Sequence, residues 1–388
     1  MKFKSIREVK NLKNKKVLLR VDFNVPLKNG RIAEDSRIKA AVPTVKYLVK
    51  KGASIIILSH LGRPKGQATP ELSNKILAKR LARLLKMKVG FAPEVVGSKV
   101  KRAAKNLKAK EILMLENVRF HQGEKTDSRA LAKSWSTCAD LYVNDAFAVS
   151  HRAEASVAAI TRYLPSYAGL LMEAEVKNLS KVLETKAGPK VAIIGGSKLE
   201  TKVGVVKNLL KKMDYVLLGG GVANNFFKAL GYEVGKSLVN DSLLKTTAGL
   251  FDDKLRLPVD AGVAKKISTS AKRADKIIGY LKKSDIILDL GPATVKIYSQ
   301  IIKKARLIVW NGPLGYFEIA KFKRSSEQLA KNIAKSKAES IIGGGETVQL
   351  IKNLKLINKF TFVSTGGGAM LEFLEGKILP GIKPLIKK

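Results

Sequence analysis

A single cysteine, Cys138, leaves no partner for an intramolecular disulfide and no Cys-rich metal site, and gives redox chemistry little to work with. A lone cysteine of this kind is usually a small buried residue. No apolar run approaches the ~18 residues that a membrane span needs, and the start MKFKSIREVKNLKNKK lacks the apolar segment of a signal peptide, so the expected compartment is the cytoplasm. Acidic residues are scarce: 32 Asp and Glu stand against 73 Lys and Arg, a formal charge of +41. Glutamate is not enriched alongside lysine, which argues against ion-pair networks of the hyperthermophile kind.

That surplus attracts polyanions non-specifically and concentrates anionic substrates near any cleft. A dedicated nucleic-acid role fits less well. The lysines are dispersed along helix-like segments such as KNLKAKE, KNLLKKMD and LIKNLKLINK, where they read as a solvated face. The chain also lacks a basic tail, an RGG run, zinc-finger spacing and an RNP-like aromatic stretch. Two nucleotide fingerprints are missing as well. GKS at Gly235 to Ser237 has Leu230 where a Walker A motif needs glycine, and neither GGGVANN nor TGGGAML satisfies GxGxxG, which weakens a dehydrogenase reading.

What is present is length and regularity. The 388 residues, 45% of them hydrophobic, suffice for about two domains with cores of their own. Ten short apolar runs, starting at Lys16, Ala53, Glu111, Asp140, Lys190, Asp214, Asp285, Arg306, Glu339 and Lys359, alternate for the most part with helix-like stretches such as EDSRIKAAVPTVKYLVKKG. Near-continuous apolar runs suit strands covered on both faces, so the pattern predicts an α/β fold of two largely parallel sheets flanked by helices. Expected boundaries are 1–166 for a first domain, a linking helix over 167–189 that ends in Ala-Gly-Pro, and 190–374 for a second domain.

Polar or glycine-rich residues follow nearly every run, where open α/β sheets bind ligands. Asp22 and Asn24 follow the first, His60 and Arg63 the second, Arg119 the third, Asn144 and Asp145 the fourth. Twelve of the sixteen arginines lie within residues 1–166. Arg37, Arg63, Arg119, Arg152 and, with less context, Arg20 sit beside other hydrogen-bonding residues. Guanidinium forks match carboxylate and phosphate oxygens two at a time, so several together imply a small ligand with more than one negative charge. All three histidines belong to the same motifs: His60 reads as a ligand contact, with His121 and His151 supporting it. Surrounding arginines disfavour a metal triad.

The second half carries glycines instead. GGSKLETK, residues 195 to 202, follows a strand and opens a helix, with Lys198 and Lys202 one turn apart on one face. Three GGG clusters, at Gly219, Gly343 and Gly366, each follow an apolar run and suggest backbone packed close to a flat polyanionic ligand.

Taken in order, RVDFNVP, SRIKAAVPT, SHLGRP, ENVRF, NDAF with SHRAEAS, GGSKLETK, GKSLV, WNGPLGYFE, GGGET and STGGGAMLEFLEGKILPGI resemble phosphoglycerate kinase over almost the whole chain. The resemblance implies a two-domain, ATP-dependent kinase that works with Mg²⁺. Its first half would hold 3-phosphoglycerate or the acyl phosphate through Asp22, Phe23, Asn24, Arg37, His60, Leu61, Gly62, Arg63, Arg119 and Arg152. Its second half would hold ATP or ADP through Lys198, Lys202, Gly219, Gly220, Asn311, Glu318, Gly344, Gly345, Glu346 and Thr347, with Glu346 toward the metal. Arg37, Lys198 and the helix start Gly366, Gly367 and Gly368 would meet the transferring phosphoryl group. The last residues, 375–388, would return to the first domain, and the molecule would act as a monomer. Three positions depart from the family: Glu346 replaces the usual Asp, Ala148 the usual Gly, and Phe362 a frequent His.

Overall fold

The first apolar runs settle into one sheet because their residues alternate between two cores. The computed structural model describes residues 2–387, and the chain divides into two compact units, Met1–Lys177 with Ile378–Lys388, and Asn178–Lys377. In the first unit the strands are β1 (Lys16–Arg20), β2 (Leu27–Lys28), β3 (Arg31–Ile32), β4 (Ser54–Leu58), β5 (Gly90–Ala92), β6 (Ile112–Leu115), β7 (Leu141–Asn144) and β8 (Ser166–Ala168). Six of them form a parallel sheet in the order β5-β6-β4-β1-β7-β8, while β2 and β3 make a hairpin closed by Asn29 and Gly30, both at positive φ. Val17 and Leu19 enter one hydrophobic cluster and Leu18 the other, as a strand covered on both faces requires. Arg20 lies opposite Leu58 and Asn144, so the chain leaves β1, β4 and β7 at one rim.

The second unit holds β9 (Lys190–Ile194), β10 (Tyr215–Leu218), β11 (Leu255–Arg256), β12 (Asp260–Ala264), β13 (Ala274–Ile277), β14 (Ile286–Leu290), β15 (Leu307–Asn311), β16 (Glu339–Gly343) and β17 (Phe362–Val363). The parallel sheet runs β11-β10-β9-β15-β16-β17. Its register sets Ile194 against both Leu218 and Asn311, and Asn311 against Gly343, so the glycines that follow emerge together. The apolar run at Asp285 behaves differently from its neighbours: β14 belongs to a separate antiparallel sheet, β13-β12-β14. No helix lies between β12, β13 and β14, and parallel pairing needs a crossover, so these strands fold back on one another.

The linking helix starts later than its sequence suggests. Tyr167 lies in β8, paired with Val143, and the helix spans Leu170–Glu184. Its start is fixed by Asp145, whose Oδ1 accepts from the N–H groups of Leu171 (2.9 Å) and Met172 (3.2 Å). A Cβ on Gly169 would come within 2.2 Å of that oxygen, so only glycine fits there. The division between the two units falls inside this helix, after Lys177. The returning tail pairs with the first unit: Gly381 N–H donates to Ser150 O at 2.8 Å, and Asn144 Nδ2 to Gly381 O at 3.0 Å. Among the described residues no helix is long and apolar enough to cross a membrane.

Candidate functional site

In the first unit the rim of the sheet gathers guanidinium groups around one buried imidazole. Arg37, from the first turn of helix Ser36–Lys50, pairs with Asp22 after β1. Asp22 also accepts from Asn24 N–H, and Asn24 Oδ1 accepts from Gly62 N–H at 2.8 Å, which ties the loop after β4 to the loop after β1. Arg119 donates to Gly62 O at 3.1 Å and to Glu154 Oε1 at 3.0 Å. Arg152 Nη1 lies 3.7 Å from the same Glu154 oxygen. Behind them Arg20 is fully buried, donating to Ser156 Oγ at 2.7 Å and Val21 O at 2.6 Å, and within 4 Å of Glu124 and Glu154.

Four guanidiniums thus face three carboxylates, Asp22, Glu124 and Glu154, and the cluster keeps a positive surplus for an anionic ligand. His60 is buried at its centre. Its pKa is held well below the usual histidine value, first by burial and then by the charges of Arg20, Arg119, Arg37 and Arg152, so the ring is neutral near pH 7. Burial also lowers Arg119 from its ordinary value, with Glu154 acting in the opposite direction.

The sequence-predicted residues separate here. Asp22, Asn24, Arg37, His60, Gly62, Arg119 and Arg152 come together; Arg63 stands exposed on its loop, and Phe23 and Leu61 bury their side chains in the core. His121 is exposed with Nδ1 accepting from Gly123 N–H, while His151 Nε2 lies 3.2 Å from Arg152 Nε. Glu124 and Glu154, which hold the arginines in place, were not singled out, although both lie in motifs rich in Arg and His.

In the second unit, three glycine-bearing turns pack tightly, Gly195 and Gly220 against backbone and Gly219 against the side chain of Leu314. A Cβ on Gly195 would come within 2.2 Å of Pro313 O, one on Gly219 within 2.6 Å of Leu314, and one on Gly220 within 3.0 Å of Gly196 O. Gly219 and Gly344 cap the helices Gly220–Ala229 and Gly345–Asn353, and Gly367 caps Gly368–Leu374, so each GGG cluster opens a helix; at the first of these the N–H groups of Gly220 and Val222 are taken by Leu314 O and Gly196 O, which ties the glycine turns together. Gly196, Gly220 and Gly221 from these turns line a cavity of about 430 Å³ whose other walls include Lys236, Leu238, Ile287, Tyr316, Glu318 and Glu346.

Lys198 and Lys202 do not share a helix face. A single 3-10 turn, Leu199–Thr201, separates them, and its tighter winding turns residues four apart to different sides. Lys198 is exposed, whereas Lys202 is 6% exposed and donates to Asn311 Oδ1. Burial draws the Lys202 pKa down to about 8, with the charge of Glu346 acting in the opposite direction. Thr347 Oγ1 accepts from Gly312 N–H at 2.9 Å, which fixes the turn after β15. On the far wall Asp289, fully buried, is held by Arg273 at 2.7 Å and by Ser325.

Glu346 is exposed in the first turn of its helix and lines the cavity. Among the described residues no group of three or more His, Cys, Asp or Glu is placed to hold a metal. Glu346, an exposed carboxylate on the cavity wall, suits Mg²⁺, which typically takes one or two carboxylates together with substrate phosphates. The apolar wall of Leu238, Ile287, Tyr316 and Phe317 escaped the sequence reading, although GKSLV and WNGPLGYFE contain most of it.

Comparison with known proteins identifies the family and the fold. The family model for phosphoglycerate kinase matches residues 6–377. The phosphoglycerate kinase of Dictyoglomus turgidum is 46% identical over 385 residues, 97% of each chain, and that of Pseudothermotoga lettingae is 45% identical over the whole of both. The solved phosphoglycerate kinase of Coxiella burnetii superposes with a TM-score of 0.89 at 41% identity, covering 99% of this chain and 98% of its own. That of Pyrococcus horikoshii gives 0.86 at 34% identity over 98% of both chains.

Proposed function

The chain belongs to the phosphoglycerate kinase family, and on that premise we propose which of its own residues carry the transfer between 1,3-bisphosphoglycerate and ADP that gives 3-phosphoglycerate and ATP. The first unit holds the phosphoglycerate. Its arginine cluster, poised around a neutral His60, supplies donors for both the phosphate and the carboxylate. The second unit holds the nucleotide. Leu238, Ile287, Tyr316 and Phe317 enclose the base with Gly220 and Gly221 on the same wall, Glu318 accepts from the ribose hydroxyls, and Lys198, Lys202 and the helix starts at Gly345 and Gly368 receive the phosphates.

In the direction of ATP use, a carboxylate oxygen of 3-phosphoglycerate attacks the γ-phosphorus as the bond to the β–γ bridging oxygen breaks and ADP leaves. The protein contributes position and positive charge rather than a covalent intermediate. Arg37 and Lys198, with the helix start at Gly366 to Gly368, neutralise the equatorial oxygens as charge spreads over them. Mg²⁺, held by Glu346 and the nucleotide's own oxygens, would supply further neutralising charge.

The observation that supports this reading best is the pairing of chemistries: guanidiniums at one rim, glycine-started helices and a partly apolar cavity at the other. The same observation does not call for nucleic acid, and the relatives give that alternative no support. A coupled assay of ATP-dependent 3-phosphoglycerate phosphorylation tests it, and a folded sample with Mg²⁺ and no turnover would defeat it. We further propose that the enzyme is a cytoplasmic monomer, to be checked by light scattering and by cell fractionation.

A further inference from the structure

Arg20 does not reach the rim, yet it touches the residue that does. Its guanidinium is fully buried and held on three other sides: Nε donates to Ser156 Oγ, Nη1 to Val21 O, and Nη2 faces Glu124 at 3.8 Å and Glu154 at 3.9 Å. Nη2 also lies 3.3 Å from His60 Nδ1. A guanidinium has five donors and no acceptor, so this contact exists only if Nδ1 offers its lone pair. In a neutral imidazole the proton then sits on Nε2. Nε2 is the nitrogen on the rim side, 3.9 Å from Asp22 Oδ1 and beside the Asp22–Arg37 pair.

We propose that Arg20 is a positioning residue that locks His60 in its Nε2–H tautomer, so that His60 presents a hydrogen-bond donor, and never a lone pair, to the anionic substrate. This rests on the assignment of the phosphoglycerate site to the first unit. The lock suits the ligand class: a carboxylate or phosphate oxygen can only accept, and an Nε2 lone pair would repel it. The charged groups around the ring leave this arrangement intact. Arg37, Arg119 and Arg152 oppose a second proton, Asp22 faces Nε2, and Glu124 and Glu154 engage Arg20 rather than the ring. Arg20 ends β1 and was the arginine with least context in the sequence, because its partners come from the loop after β4 and from residues 124 to 156, which no local pattern reveals.

The experiment is long-range ¹H–¹⁵N correlation of the three imidazoles in the full chain near neutral pH, with His60 identified by its loss in His60→Gln. The expected result is a His60 Nδ1 resonance in the unprotonated range and Nε2 in the protonated range. The opposite tautomer, or an imidazolium, overturns the proposal. A variant tests the cause. Arg20→Gln with Glu124→Gln removes one buried charge of each sign; with Arg20 gone, the ring should sample both tautomers, and KM for 3-phosphoglycerate should rise about tenfold while kcat changes by less than about threefold. A folded double variant that keeps a pure Nε2–H tautomer and an unchanged KM also overturns it, and if the double variant does not fold, the tautomer in the unsubstituted chain decides. Adding 3-phosphoglycerate separates the underlying site assignment: His60 resonances that stay put, in a chain with the expected tautomer, defeat the substrate reading and leave the tautomer lock standing.

Discussion

Lys202 should take up a proton when the nucleotide binds. The residue is 6% exposed, and burial lowers its pKa to about 8 from the ordinary 10.5. In the free enzyme about a tenth of the side chain is therefore neutral at pH 7, about half at pH 8 and about nine tenths at pH 9. A bound di- or triphosphate restores the preference for the charged form, and the phosphates themselves are ionised below this range. Binding Mg-ADP should then draw in about half a proton at pH 8 and nearly one at pH 9. Linkage makes the same statement about affinity, which should fall about tenfold, or ~1.3 kcal/mol, from pH 7 to pH 9. Calorimetry in two buffers of different ionisation enthalpy reads the uptake directly. No uptake between pH 8 and 9, or the same uptake in Lys202→Met, would refute the placement of Lys202 against the phosphates. The sign for stability follows from the same shift. Between about pH 8 and 10.5 the unfolded chain binds more protons at this site than the folded one, so its contribution to stability rises with pH across that window.

Glu346→Asp should leave activity within about threefold, because the charge stays in the first helical turn, whereas Glu346→Ala should raise the Mg²⁺ requirement by about tenfold or more; full activity of the alanine variant at limiting Mg²⁺ would remove Glu346 from the metal. His60 is held neutral in the fold, so the unfolded chain protonates first as pH drops below about 6.5, and stability is lost progressively on the acid side; His60→Gln should flatten that limb of thermal stability against pH. Gly345→Ala places its methyl in open space at a helix start and should cost no stability, yet it should weaken nucleotide binding if phosphate approaches the backbone there, as a melt paired with a binding titration will tell. Ligands held on separate units must meet for transfer, so small-angle scattering should record a smaller radius of gyration only when both substrates are present.

The strand-end residues were legible because parallel register converts sequence order into neighbourhood. Once β1 is set against β4 and β7, residues that follow each run share a rim, whatever their separation in the chain. What holds those residues was not legible. Glu154 matters because it reaches Arg119 and lies beside Arg20 and Arg152, and Glu124 because it faces Arg20 and binds Ser156; these partnerships are set by tertiary packing, not by spacing. The same distinction explains β14. Its composition matches a buried parallel strand, and only the lack of a helix between it and β12 decides the antiparallel pairing.

Glycine was the residue type whose meaning the sequence blurred most, and the triplet Gly343, Gly344 and Gly345 shows why. Three adjacent glycines serve three separate needs. A Cβ on Gly343 would come within 2.0 Å of Met370 Sδ, so that glycine answers to packing. Gly344 sits at φ +91 as the helix cap, a conformation that penalises any other residue, so it answers to the backbone. Gly345 meets nothing within 4 Å and has an ordinary φ, so neither fold requirement applies to it. By elimination the third position is where a ligand has a claim, and it lies directly before Glu346, one of the carboxylates that line the cavity. A run of identical letters thus carries one functional position flanked by structural ones, and separating them takes the space around each Cα, which a sequence does not contain.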